Sequence, residues 1–137
     1  MGKDIHVRLI QFNRKTNEYE LVKLYRKINN EFRAIPVYEG RDYSLFDQLE
    51  DDAFPSRAIY TPNLPEELRQ ELNECEEETG YFGFREINLA DLKLYYNNTK
   101  RIKFSFIDTI NNYINLYNTE PWLYSSSDVR ILYWFDN

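Results

Sequence analysis

The chain contains one cysteine and one histidine among its 137 residues. Cys75 therefore has no partner for an intrachain disulfide, and no group of cysteines and histidines has the spacing of a zinc site. The longest purely apolar run, "ILYWF" at 131–135, is far shorter than the roughly 20 residues that cross a bilayer. The N-terminus also lacks the apolar segment of a signal peptide. These absences predict a protein of a reducing, intracellular compartment with no metal, no cofactor and no membrane partner.

Glycine is scarce as well, with four residues in the chain. The sequence has no glycine-rich phosphate loop, no nucleophile elbow and no metal-binding motif. It identifies no reaction and no catalytic residue, so a binding protein is expected in preference to an enzyme.

Acidic residues are most concentrated in one segment of the chain. Residues 64–78 hold seven glutamates and one arginine, which accounts for the whole net charge of −6. The rest of the chain is balanced and offers no basic patch of the kind that contacts phosphate backbones, so direct binding of DNA or RNA is not expected.

Alternating apolar residues predict strands at both ends of the chain. Residues 4–12 alternate as a strand that enters a hairpin, and 18–27 is its predicted return strand. A third extended piece spans 32–38, where Pro36 indicates an edge or a strand end. "DVRILYWFDN" has two apolar faces, which is typical of a central strand covered on both sides.

Helical spacing dominates the middle of the chain. A short helix with Asp42 or Ser44 as its cap is predicted after Gly40, and a helix at 65–78 that Gly80 can terminate follows it. Two further helices are predicted, one capped by Asn88 and one at about 105–117. The sequence thus predicts one domain, 1–137, of the α+β class: a small antiparallel sheet that includes the N- and C-terminal strands side by side, with three or four helices packed on one side of it.

Five short stretches, "KDIHVRLI", "GRDYSLFDQL", "NLPEELRQEL", "INLADL" and "DVRILYWFDN", resemble in the same order a family of small uncharacterised proteins encoded by phages and prophages. The resemblance implies a phage or mobile-element accessory gene and the cytoplasm of a bacterial host cell. Family members often carry further histidines in the stretch corresponding to "GYFGFREINL"; this sequence has none there, so no histidine- or metal-based activity is carried over.

His6 is the centre of the first candidate site. Asp4 and His6 share one face of the predicted N-terminal strand, and Asp136 comes near them if the terminal strands pair. Arg41 and Tyr43 flank the start of a helix whose free N–H groups could accept a phosphate. Together they would form a nucleotide or anion site. The alternative is that His6 is a half-exposed strand residue held by a neighbouring carboxylate.

The second candidate is the predicted helix 65–78. Its glutamates recur at offsets of three and four, while its leucines occupy another stripe, so the acidic face should point outward. Such a face could imitate a nucleic acid and bind the basic groove of a host enzyme. The alternative is an ordinary solvated helix. The proposed partner-binding residues are Glu67, Glu71, Glu74 and Glu78 of this helix, together with Trp122 and Tyr124.

Aromatic residues make up 17% of the chain. Most are expected in the core, but "EPWLYSSSD" is predicted to be a loop, in which Trp122 and Tyr124 are either tucked under or offered to a partner. An aromatic-rich surface also leaves homo-oligomer formation open.

Two functional hypotheses follow. The first is a phage-encoded binding protein that inhibits a host defence system, such as a CRISPR effector or another nucleic-acid-binding host protein, through an acidic, tyrosine-rich surface. The second is a protein that binds or cleaves a defence signalling nucleotide with Asp4, His6, Arg41 and Tyr43.

Overall fold

The computed structural model describes residues 2–137. Within that range the strands are β1 (Asp4–Asn13), β2 (Glu18–Val22), β3 (Tyr25–Ile28), β4 (Glu31–Ala34), β5 (Arg57–Ala58), β6 (Tyr81–Asn88) and β7 (Val129–Asp136). The helices are α1 (Tyr43–Glu50), α2 (Glu66–Glu77), α3 (Leu89–Thr99) and α4 (Phe104–Tyr117). The main sheet is antiparallel, in the order β2-β1-β7-β6-β5, and β3 and β4 form a separate hairpin.

The terminal strands are neighbours in the main sheet, as predicted. Asp4 of β1 lies opposite Asp136 of β7, and the pairing runs without interruption to Gln11 opposite Val129. β6 pairs with the other edge of β7, so β7 is central. Its alternating side chains are buried on both faces, because each face is covered by helices. The α+β prediction is confirmed.

Helices cover both faces of the sheet. α1, α3 and α4 pack on the face that carries Leu9 and Ile131. α2 packs on the opposite face, where Leu68 and Leu72 contact Trp134 and its neighbours. The expectation that all helices lie on one side was therefore wrong. The second apolar face of β7 needs a cover, and the leucine stripe of α2 supplies it.

The predicted caps of α1 and α3 are found in the structure, whereas the predicted end of α2 at Gly80 is not. The Asp42 side chain accepts the Leu45 N–H of α1, and the Asn88 side chain accepts the Ala90 N–H of α3. α2 instead ends on Glu78 in extended backbone. Gly80, with φ 100°, serves the turn into β6 and not the helix end itself.

The predicted return strand 18–27 is divided between two sheets. β2 ends at Val22, and the chain then enters the β3–β4 hairpin. Asn29 and Asn30, with φ 52° and 65°, form the two-residue turn, because a tight hairpin turn favours residues that tolerate positive φ. The predicted strand 32–38 shortens to β4, and Pro36 lies beyond its end.

Candidate functional site

His6 lies on the α2 side of β1, held by a carboxylate and two rings. Its Nε2 hydrogen-bonds with Oδ2 of Asp136. Its ring stacks on Trp134 at a centroid distance of 5.7 Å and lies 5.8 Å from the ring of Tyr81. Within residues 2–137 its side chain bonds to Asp136 and to no hydroxyl or thiol. The arrangement orients an imidazole but provides no nucleophile for it to activate.

Asp4 pairs with Arg41 and not with His6. Nε of Arg41 donates to Oδ1 of Asp4 at 2.8 Å. This hydrogen bond lowers the pKa of the Asp4 carboxyl and raises the pKa of the Arg41 guanidinium. Both groups are therefore charged at neutral pH, and much of the positive charge that a phosphate would need is already matched by Asp4.

The start of α1 is also occupied. Besides capping Leu45, Asp42 accepts a hydrogen bond from Nζ of Lys103 at 2.6 Å, and these contacts lower the pKa of its carboxyl. A side-chain carboxylate thus stands where the sequence placed a bound phosphate. Tyr43 is half exposed, with its ring edge-on to Phe46.

The acidic face of α2 divides into two parts. Nε and Nη2 of Arg8 donate to the two carboxylate oxygens of Glu71 at 2.9 and 2.8 Å, which is bidentate geometry. Nζ of Lys23 donates to Glu67, and this bond raises the pKa of the Lys23 ammonium. Glu67 and Glu71 therefore tie α2 to β1 and to the end of β2, in addition to presenting charge.

The C-terminal part of α2 carries the unmatched charge, and we call it the acidic end. All of its glutamates are exposed, and no basic side chain of residues 2–137 lies within 4 Å of their carboxylates. The negative end of the helix dipole lies here too, so these carboxylates are unfavourably placed. The acidic end consists of Glu74, Glu76, Glu77 and Glu78.

A groove of about 660 Å³ lies beside the pair of ionic contacts that Glu67 and Glu71 make. Its walls are the first half of β1, the end of β2, the segment 34–40 and the Glu67–Glu71 side of α2. Asp4 and His6 line this groove, whereas Arg41 and Tyr43 do not; Tyr43 lines a different hollow with Lys3 and Asp47. The four candidate ligand residues are therefore neighbours that do not converge on one cavity.

The two aromatic candidates and the free cysteine lie in different environments. Trp122 lies on a short 3-10 turn and is 76% exposed, while Tyr124 is half-buried. Cys75 packs at the margin of the cluster under α2, and burial together with Glu71 and Glu78 raises the pKa of its thiol. A thiol with a raised pKa is a poor nucleophile at neutral pH.

Sequence reasoning missed the ionic partners of α2 and the far wall of the groove. Arg8 shares the alternation of His6 along β1, and that signal could have placed it opposite α2. Nothing local to the segment 34–40 indicates that it stands across a groove from β1.

Comparisons with known proteins leave the family resemblance a prediction. No protein-family model, no curated protein and no solved structure matches the chain. In the part of the chain that the structure describes, no group of three or more His, Cys, Asp or Glu side chains could hold a metal ion. None of the helices within 2–137 combines the length and the apolar character needed to span a membrane.

Proposed function

We propose that the protein is a phage-encoded accessory protein that binds and inhibits a host defence protein in the bacterial cytoplasm. The partner has a basic, nucleic-acid-binding surface, such as that of a CRISPR effector, and the acidic end of α2 is the surface that binds it. One observation carries this proposal: four exposed glutamates stand together with no basic side chain within 4 Å in residues 2–137. The sequence resemblance supports the phage origin.

The position of these glutamates argues for use in binding. Carboxylates at a helix C-terminus oppose the dipole, and each costs about 0.3–1 kcal/mol at low ionic strength. Neighbouring glutamates also repel one another. The same unpaired negative charges would accelerate encounter with a basic partner and complement a groove that binds phosphates.

The test is affinity capture of the partner from host cells by the full chain, followed by binding measurements with the purified partner. The variant E74Q/E76Q/E77Q/E78Q should bind at least tenfold more weakly. Binding of the natural chain should weaken as salt rises from ~50 to ~500 mM, because screening shortens the reach of exposed charges.

A matched control removes four exposed acidic groups elsewhere. E18Q/D52N/D108N/E120Q changes the net charge equally and leaves α2 intact. If both variants weaken binding alike, net charge and not the acidic end is responsible. Binding that ignores both the α2 substitutions and the salt would contradict the proposal.

The nucleotide hypothesis has one supporting observation, the approach of the Asp4–Arg41 and His6–Asp136 pairs to the groove. The acidic lining of that groove and the carboxylate cap of α1 oppose it, since both repel phosphate. A nucleotide at 100 times its Kd would add roughly 2.7 kcal/mol to the free energy of unfolding. Thermal unfolding with and without a panel of mono-, di- and cyclic nucleotides therefore separates the two functions, and no shift is expected.

A further inference from the structure

The first half of β1 has one edge that no strand of residues 2–137 pairs with, and the Val7 carbonyl accepts a hydrogen bond from Nη1 of Arg8 at 3.0 Å. β7 pairs with β1 from Asp4 to Gln11, but β2 pairs only with Leu9–Asn13. Along an antiparallel strand, alternate residues direct their N–H and C=O groups to opposite edges. Alternate residues of the stretch 4–8 therefore point away from β7, toward a side where no strand of residues 2–137 pairs with them.

Tyr113 of α4 explains why β2 stops short. The Leu24 N–H donates to the Tyr113 hydroxyl at 2.9 Å, and that hydroxyl donates to the Ile35 carbonyl at 3.0 Å. The Ile35 N–H in turn donates to the Leu24 carbonyl at 2.8 Å. These bonds draw the chain away from β1 after Val22 and fix the base of the hairpin. The chain that returns from the hairpin then forms the wall 34–40.

The groove lies between this wall and the unpaired edge. Its volume of about 660 Å³ is within the range of about 300–1,000 Å³ typical of ligand sites. Five residues of strand extend over about 17 Å at ~3.3 Å per residue. An open backbone edge along a groove is the arrangement in which an extended peptide adds a strand to a sheet.

The charges at the groove favour a basic occupant. Four carboxylates line it, from Asp4, Glu39, Glu67 and Glu71. Arg41, Lys23 and Arg8 pair with Asp4, Glu67 and Glu71 respectively, so Glu39 is the carboxylate that leaves an excess of negative charge. Glu39 is exposed and has no basic side chain within 4 Å in the described part of the chain. A lysine or arginine on the occupant would balance this excess.

We propose that the groove binds an extended peptide segment of a protein partner, which adds to β1 beside residues 4–8 and places a lysine or arginine near Glu39. This inference takes the basic character of the partner protein from the proposed function. It adds a second contact, made by the backbone and distinct from the acidic end of α2.

The probe is a displayed library of random 12-residue peptides, selected against the full chain, with the enriched peptides then synthesised. Enriched peptides should carry a lysine or arginine, and their binding should shift the amide NMR signals of residues 4–8 and 35–40. N-methylation at alternate peptide positions should weaken binding at least tenfold, because it removes the N–H groups that pair with β1. Selected peptides that shift signals elsewhere, or no selectable peptide, would overturn the proposal.

Ala34→Trp supplies an independent block, because Ala34 is exposed and lines the groove. It should reduce peptide affinity at least tenfold, while Ala53→Trp, at an exposed alanine outside the groove, should not. If A34W disturbs folding, the NMR and N-methylation results on the natural chain still decide the question. E74Q/E76Q/E77Q/E78Q should keep its peptide affinity. The experiment can therefore contradict peptide binding in the groove without contradicting partner binding by the acidic end, and the reverse.

Discussion

Helix α2 and the β3–β4 hairpin carry opposite net charges, and they are held in different ways. α2 contains six glutamates and one arginine, yet it buries Leu68 and Leu72 against the sheet. The hairpin carries Arg26, Lys27 and Arg33 against a single glutamate, and nearly all of its residues are exposed.

The comparison of α2 with the hairpin shows that a buried apolar stripe allows many like charges on one element. The apolar stripe of α2 stabilises the helix enough to hold glutamates at its unfavourable end. The hairpin has no buried stripe, and an isolated two-stranded hairpin is marginal in water, so its base needs the hydrogen bonds of Tyr113. The α2 surface is supported by side-chain packing on the sheet, whereas the hairpin is supported at its base, by the Tyr113 hydroxyl and by the backbone bond between Ile35 and Leu24.

The largest expected difference is in the effect of deleting one apolar side chain from each region. Leu68→Ala should lower the free energy of unfolding by about 2–5 kcal/mol, because Leu68 is fully buried. Phe32→Ala should change it by less than ~0.5 kcal/mol, because that ring is 73% exposed. Urea unfolding measures both. Similar losses for the two variants would mean that the hairpin is anchored by its own apolar residues.

Removing one hydroxyl should loosen the hairpin without removing a ring. Tyr113→Phe leaves the Leu24 N–H and the Ile35 carbonyl without that partner, which should cost roughly 1–3 kcal/mol. Amide exchange should accelerate most in β3 and β4. Tyr117→Phe, in the same helix and against the same core, is the control. Unchanged exchange in the hairpin after Tyr113→Phe would refute the anchoring role of that residue.

Charge within the hairpin should have a smaller effect. Arg26 and Arg33 lie directly opposite each other, and like charges in that position are destabilising. Arg26→Glu should therefore stabilise the hairpin by roughly 0.2–1 kcal/mol and slow amide exchange in β3 and β4. Lys27→Glu makes the same change of charge opposite Phe32 and should slow exchange less. Equal effects would show that total charge, and not the arginine pair, matters.

Local patterns in the sequence predicted the fold class and most element types. The two-residue alternation of β1 and β7 and the caps at Asp42 and Asn88 are signals within a few residues, and the structure bears them out. The division of 18–27 was not predictable in this way. It depends on Tyr113, which lies 89 residues from Leu24 along the chain.

In the candidate site too, contacts set by local pattern and strand pairing were predictable, and long-range ionic contacts were not. The sequence placed Asp4, His6 and Asp136 near one another because strand pairing brings them together. It did not show that Asp4 would be matched by Arg41, or that Arg8 and Lys23 would take up two of the four α2 glutamates chosen as contacts. Partner choice among charged side chains is set by tertiary structure. Among the α2 glutamates, those of the acidic end have no basic side chain of residues 2–137 within 4 Å.

The smallest expected effect separates the two ends of α2 itself. Glu77→Gln should stabilise the protein by a few tenths of a kcal/mol at low salt, because it removes a negative charge from the negative end of the helix dipole. Glu66→Gln should destabilise it by a similar amount, since Glu66 lies in the first turn and pairs with Arg69. Both changes, measured by urea unfolding, should shrink at ~500 mM salt. Opposite signs would show that the glutamates of the acidic end lower the stability of the fold, which leaves binding as a reason for their presence. A loss of stability from both variants would mean that these glutamates support the fold.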